Sequence, residues 1–217
     1  MRPIFISGIG TGIGKTVVSA IVAQSLGAAY WKPIQAGWED GTDTGRVQSW
    51  TDASKVEVYP ELYRLAMPAS PHIAARKEGI VIRMEEIVAQ YRRFPADRRV
   101  VIEGAGGLLV PLNEEGQWVA GIAKELNAHV ILVSRNYLGS INHSLLTAAY
   151  CLQQELDVAG WIFNDQYLDY ENEIAAWSGY PRLGSIPPVP VIDRDFVAAQ
   201  ARDLFSSLKK IYEQEGA

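Results

Sequence analysis

The segment Gly8-Ile9-Gly10-Thr11-Gly12-Ile13-Gly14-Lys15-Thr16 constrains this chain more than any other stretch of it. It follows an apolar run, Pro3-Ile4-Phe5-Ile6-Ser7, and precedes an amphipathic one from Val17 to Leu26. A strand, a glycine-rich turn and a helix opening at Gly-Lys-Thr together build a phosphate cradle. Glycines let backbone N–H groups converge on a polyanion without Cβ clashes. The helix N-terminus adds its dipole, Lys15 a charge, and Thr16 a hydroxyl able to ligate Mg²⁺. The strict pattern places glycine where this chain has Ile9, so the loop is a one-residue-longer variant beginning at Gly8. A dinucleotide-binding fingerprint fits worse: its third glycine would fall on Ile13 or Lys15, and the second strand ends in Lys32 rather than in an acid for the ribose. A bound nucleoside triphosphate is the expectation.

The rest of the chain suits a fold that presents such a loop. Short apolar runs (Ile4–Ser7, Ala29–Trp31, Val100–Glu103, Val130–Ser134, Gly160–Asn164, Leu183–Ile186) alternate with helical patterns (Lys15–Leu26, Pro71–Lys77, Met84–Phe94, Val119–Leu126, Ile141–Glu155, Glu171–Trp177, Asp195–Tyr212). The strands are continuously apolar, as when helices cover both faces of a sheet. The expected class is α/β, a doubly wound, mostly parallel sheet of the P-loop NTPase kind, in one domain spanning residues 1–217. The stretch from Gly37 to Pro68 reads as a long loop with a helical turn near Thr44–Trp50, and long loops in compact domains are often functional.

A net charge of −5 gives no electrostatic footprint for nucleic acid, and Arg92-Arg93 and Arg98-Arg99 read as solvated element ends. One cysteine, Cys151 in an apolar helical run, excludes a disulfide framework and reads as a buried structural thiol. No apolar stretch approaches the roughly 18 residues of a membrane span. The apolar start reaches Gly8 too soon for a signal-peptide core, so a cytoplasmic protein that binds no membrane is expected. His72, His129 and His143 have no partners at metal-ligand spacing.

In a sheet of this kind ligands sit at the C-terminal strand edge. Lys32 stands there, and if its strand neighbours the first, its ammonium reaches the loop mouth. Glu103 ends Val100-Val101-Ile102 and precedes Gly104-Ala105-Gly106-Gly107, a Walker B-like arrangement of acid and close backbone. Mg²⁺ takes oxygen ligands. Thr16, Glu103 and one loop carboxylate would supply them, and spacing alone does not choose between Asp40 and Asp43. Gly139 and Ser140 read as a helix start with Ser140 as N-cap, whose free N–H groups suit an anion.

Taken in order, Gly8–Thr16, Trp31-Lys32-Pro33, Pro68-Ala69-Ser70-Pro71-His72, Glu103–Gly107, Leu138–His143 and Gly160–Asp165 resemble the dethiobiotin synthetase family, ATP-dependent enzymes that close the ureido ring late in biotin biosynthesis. The resemblance implies ATP and Mg²⁺, with 7,8-diaminononanoate and CO₂ or bicarbonate as substrates. It implies nucleotide contacts from Gly12, Ile13, Gly14, Lys15, Thr16 and Val17, and from Gly104, Ala105 and Gly106. Asp43, rather than Asp40, is implied as the loop metal ligand beside Thr16 and Glu103. Lys32, with Lys15, is implied in catalysis. Asn164 and Asp165 would read the adenine, with Pro187, Pro188 and Val189 closing over it. Gly139, Ser140 and Asn142 would receive the substrate carboxylate from across a homodimer interface. Gly12 stands where some relatives carry a glutamate near the substrate amines. Ala36 stands where relatives usually place a hydroxyl at the substrate, a loss that Gln35 or a water would make good. Two rival readings are a dimeric ATPase switch of the partitioning or septum-placement kind and a cobalamin-type amidoligase. The mixed charge of the last helix and the lack of a glutaminase portion speak against them.

Overall fold

The computed structural model describes residues 1–165 and 168–213. Its elements run β1 (Ile4–Gly8), α1 (Lys15–Leu26), β2 (Ala29–Trp31), β3 (Ile34–Ala36), α2 (Asp43–Trp50), β4 (Val58–Tyr59), β5 (Tyr63–Leu65), α3 (Pro71–Lys77) and α4 (Met84–Tyr91). They continue with β6 (Val100–Glu103), α5 (Val119–Glu125), β7 (His129–Arg135), α6 (Ser140–Gln153), β8 (Val158–Asn164), α7 (Glu171–Ser178), β9 (Arg182–Ile186), α8 (Arg194–Leu208) and α9 (Lys210–Glu213). Seven strands form one sheet in the order β4-β2-β6-β1-β7-β8-β9, and every pairing within it is parallel. β3 and β5 form a separate short parallel pair.

The strand pleat explains the apolar runs. Phe5, Trp31, Ile102, Leu132 and Phe163 face one core together with α3, α4, α5, α6 and α7. Their neighbours Ile4, Ile6, Tyr30, Val101, Ile131 and Ile162 face a second core with α1 and α8. Both faces of each central strand are covered, so both sets of alternating positions are apolar. α1 packs on the sheet and against α8, which itself packs on β9, and burial extends around α1 from Val17 to Ala23. Cys151 belongs to the first core, where burial pushes its thiol up to about 12. Such a thiol stays protonated and unreactive at neutral pH.

Three sequence expectations are corrected here. β2 does not neighbour β1; β6 lies between them, and the register sets Trp31 beside Ile102. The residues that follow, Lys32 and Glu103, are therefore neighbours across the strand ends. The stretch Gly37–Pro68 holds the expected helical turn as α2 but also β4 and β5, because two- and three-residue strands carry no pattern of their own and are held by pairing. The helix expected over Asp195–Tyr212 breaks after Leu208, leaving α9 as a separate turn. No helix among the described residues is long and apolar enough to cross a membrane.

Candidate active site

The loop after β1 turns on left-handed glycines. Gly12 has φ 72° and Gly14 φ 94°, a region a Cβ disfavours. Gly14 caps α1 with no side chain bonding the first N–H groups, and the first turn carries no acid. That helix end keeps its donors and its positive dipole for an anion. Lys15 curls back over the loop, its Nζ donating to the Gly10 carbonyl at 2.6 Å. Burial pulls the Lys15 ammonium down to about 8, with Glu103 working against the shift and Lys32 adding to it.

The neighbouring strand ends supply the rest. Lys32 Nζ lies 2.8 Å from Glu103 Oε1 and 2.7 Å from Asp43 Oδ2. Thr16 Oγ1 lies 2.9 Å from Asp43 Oδ1 and 3.0 Å from Glu103 Oε1. Burial opposes the Lys32 charge, but Glu103 and Asp43 outweigh it and hold that ammonium above the ordinary lysine range. Burial likewise works against ionised Asp43, and the Lys32 ammonium overrides it, keeping the carboxyl below its usual value. The other Glu103 oxygen, Oε2, accepts from the Tyr30 hydroxyl at 2.8 Å. Burial, then Glu103, pushes the Tyr30 phenol far above its ordinary range, so it remains a donor.

These groups line a cavity of about 630 Å³. Of the residues named from sequence, Gly12, Gly14, Lys15, Thr16, Val17, Lys32, Ala36, Asp43, Glu103, Ala105 and Gly106 form its wall. Thr11, Arg46, Ser70 and Pro71 join them. Ile13 is buried behind the loop, and Gly104 packs against Phe5 and Val119.

The remaining named residues lie outside this cavity. Asn164 reaches the loop through its Nδ2, which donates to the Ile13 carbonyl at 3.1 Å. Asp165 is paired with Arg135 at 2.8 Å. Pro187 and Pro188 are exposed and Val189 half-buried, just past β9. At the start of α6 the cap is Gly139, with φ 101°, rather than Ser140. Ser140 is fully buried, its hydroxyl 2.7 Å from that of Tyr170, so it faces inward, whereas Asn142 is exposed.

Gln35 lines the cavity beside Ala36. Its Oε1 accepts from the Asp43 N–H at 3.1 Å, and its Nε2 donates to the Gly37 carbonyl at 2.7 Å, so it braces the acidic loop. Sequence reasoning missed this role and that of Tyr30, although strand alternation sets Tyr30 on the same face as Lys32.

The donor set fits a hard divalent cation. Two carboxylates and a hydroxyl, all oxygen, converge where an ammonium now answers their charge, and Mg²⁺ is bound through one or two carboxylates together with phosphates. His, Cys, Asp and Glu form no group of three or more suited to a metal among the described residues, so phosphate oxygens would complete such a shell.

The AAA domain family matches residues 2–195. The ATP-dependent dethiobiotin synthetase BioD of Cytophaga hutchinsonii is 41% identical over 210 residues, covering 95% of this chain and 98% of its own. The protein of the same name from Rhizorhabdus wittichii is 41% identical over 206 residues, covering 94% and 96%. Among solved structures, the cell division ATPase MinD of Pyrococcus furiosus superposes with TM-score 0.62 at 15% identity, covering 97% of this chain and all of that one. A ParA family ATPase from Chlorobium tepidum gives 0.56 at 14%, covering 96% and 91%. At such identities the likeness is one of fold. With relatives of one name matched over nearly their whole lengths, the chain belongs to the ATP-dependent dethiobiotin synthetase family.

Proposed function

We propose that this chain converts 7,8-diaminononanoate, CO₂ and ATP into dethiobiotin, ADP and phosphate at the cavity beside the glycine loop, with Mg²⁺ as cofactor. The observation that carries this reading is the meeting of Lys32, Asp43, Glu103 and Thr16 within hydrogen-bond distance at the mouth of the loop. One substrate amine adds to CO₂ and loses a proton, giving a carbamate. A carbamate oxygen takes the γ-phosphoryl group of ATP as ADP departs, giving a carbamic–phosphoric anhydride. The neighbouring amine attacks the carbonyl carbon, loses a proton, closes the ring and expels phosphate.

Little of this chemistry is covalent work for the protein, which positions reactants and neutralises charge. The loop N–H groups and Lys15 would hold the β- and γ-phosphates. Thr16, Asp43 and Glu103 would hold Mg²⁺, which when bound neutralises charge across the phosphates. Lys32, held between Asp43 and Glu103, would meet the carbamate oxygen and the charge that spreads over the phosphoryl group in transfer. Asn164 and Asp165 would read the base, with Pro187, Pro188 and Val189 over it. The reaction is tested by incubating the protein with diaminononanoate, Mg-ATP and labelled bicarbonate. Label is expected in a cyclic urea, in step with ADP formation. Phosphate release with no labelled urea would leave only a generic ATPase, the outcome an ATPase switch predicts.

Pairing of two copies is part of the same reading. Leu138, Leu146 and Leu152 stand exposed along α6 beside Gly139 and Asn142, an apolar strip that supports a contact between copies. Such a contact would bring the α6 start to the partner's cavity and its substrate carboxylate. Sedimentation at micromolar concentration is expected to show two chains per particle, and Leu146→Glu to dissociate them. A single-chain particle for the unmodified protein would end this part of the reading.

A further inference from the structure

We infer that Tyr30 is a positioning residue for the metal site, acting through Glu103: it makes Glu103 a one-oxygen ligand with a fixed carboxylate plane. The inference rests on the reading of Glu103 as a metal ligand.

Glu103 is a buried acid with two oxygens treated differently. Oε1 faces the cavity, accepting from Lys32 at 2.8 Å and lying 3.0 Å from the Thr16 hydroxyl, which it shares with Asp43. Oε2 faces away and takes the Tyr30 hydroxyl at 2.8 Å. The carboxylate is therefore held at both ends, and its rotation about the terminal bond would break one anchor or the other. Glu103 is 1% exposed and Tyr30 fully buried, so water does not reach the contact to replace the phenol.

The anchor is rigid because of where it sits. Tyr30 lies within β2, which pairs with β6 as far as Ile102, the residue before Glu103. Its ring packs in the core with α1, so the hydroxyl has no freedom to follow a rotating carboxylate. Lys32 comes from the end of the same strand, two residues on and on the same face. β2 thus delivers one donor to each Glu103 oxygen, a neutral fixed one behind and a charged one in front. Without the phenol, Oε2 is a buried acceptor lacking a partner. The carboxylate would then turn to offer that oxygen to Lys32 or Thr16, and Oε1 would leave the place that Asp43 and Thr16 define. Mg²⁺ demands near-ideal octahedral geometry, so a ligand free to turn lowers affinity for it. Tyr30 is not itself part of the cavity wall and meets it at Glu103, which is why its effect must pass through Glu103.

The test is a double-mutant cycle read as Mn²⁺ binding, by the resonance of the free ion, in the presence of a non-hydrolysable ATP analogue. Tyr30→Phe keeps the ring and its packing and removes only the hydroxyl. It is expected to weaken Mn²⁺ binding about tenfold, as for a lost hydrogen bond to a charged group, while analogue binding without metal changes less than about twofold. Glu103→Gln weakens Mn²⁺ by itself, but Thr16, Asp43 and the phosphates still donate, so affinity remains measurable. On that background Tyr30→Phe is expected to change Mn²⁺ affinity by less than about twofold. An undiminished Tyr30→Phe effect in the Glu103→Gln protein, equal losses with and without metal, or unchanged Mn²⁺ affinity in Tyr30→Phe would each overturn the inference and leave the reading of Glu103 standing. Unchanged Mn²⁺ affinity in Glu103→Gln would overturn both.

Discussion

Lys32→Ala is expected to lower turnover by about 10²- to 10³-fold while leaving the affinity for Mg-ATP within a few-fold of the unmodified protein. The size follows from removing one preorganised charge from a phosphoryl-transfer site, where such a charge acts in the transition state more than in the bound complex. The split between turnover and binding follows from position. The triphosphate cradle is the glycine loop with Lys15, whereas Lys32 comes from the end of β2 and is held between Asp43 and Glu103. A second readout separates this role from mere structural support. Lys32 is the buried cation that neutralises two carboxylates, and removing one partner of a buried pair costs about 3–5 kcal/mol. The variant is therefore expected to melt at a lower temperature without divalent metal and to recover most of that loss in saturating Mg²⁺. Turnover should not recover with it. Assays with saturating Mg-ATP and diaminononanoate, beside melting curves with and without Mg²⁺, decide the matter. Near-normal turnover in Lys32→Ala would remove the catalytic role assigned to this residue.

The parts of this site that could be read from sequence are those whose chemistry is local. The loop from Gly8 to Thr16 announces itself because the turn and the helix start lie within one continuous segment. Glu103 is legible as a cavity residue because the acid closing an apolar strand is followed at once by a glycine-dense turn, Gly104 to Gly107. Long-range placement was not legible. Nothing in Ala29-Tyr30-Trp31 says that β6, and not β1, lies beside it; strand order depends on crossovers whose handedness and length leave several arrangements open. Yet this order makes the site, since it sets Lys32 beside Glu103. Tyr30 was hidden for another reason: between alanine and tryptophan it reads as one more core aromatic, and its hydroxyl acquires meaning only once Glu103 is known to lie behind it. Ser140 misled in the opposite direction. A serine after glycine at a helix start looks like a cap, but the left-handed turn at Gly139 already ends the loop, and the serine falls inside the first turn against Tyr170.

Gly14→Ala is expected to weaken ATP binding by about 100-fold or more. Gly14 holds φ 94°, a backbone conformation that costs an L-residue roughly 1–2 kcal/mol. A Cβ there would lie 2.0 Å from Asn164 Nδ2 and 2.7 Å from its Cγ. Asn164 can yield only by turning away, and it then gives up its bond to the Ile13 carbonyl, which ties the loop to the end of β8. Strain and the lost tie fall on the same peptide units whose N–H groups should meet the phosphates, and about 2.7 kcal/mol corresponds to 100-fold in affinity. Gly12→Ala is the internal comparison. Gly12 also has positive φ, at 72°, but a Cβ added to it meets nothing within 4 Å. Only the strain applies there, so a loss of about 10-fold is expected. Titration of both variants with a fluorescent ATP analogue measures the ordering. Equal losses would mean that Asn164 does not brace the loop, and unimpaired binding by Gly14→Ala would mean that the phosphates lie elsewhere.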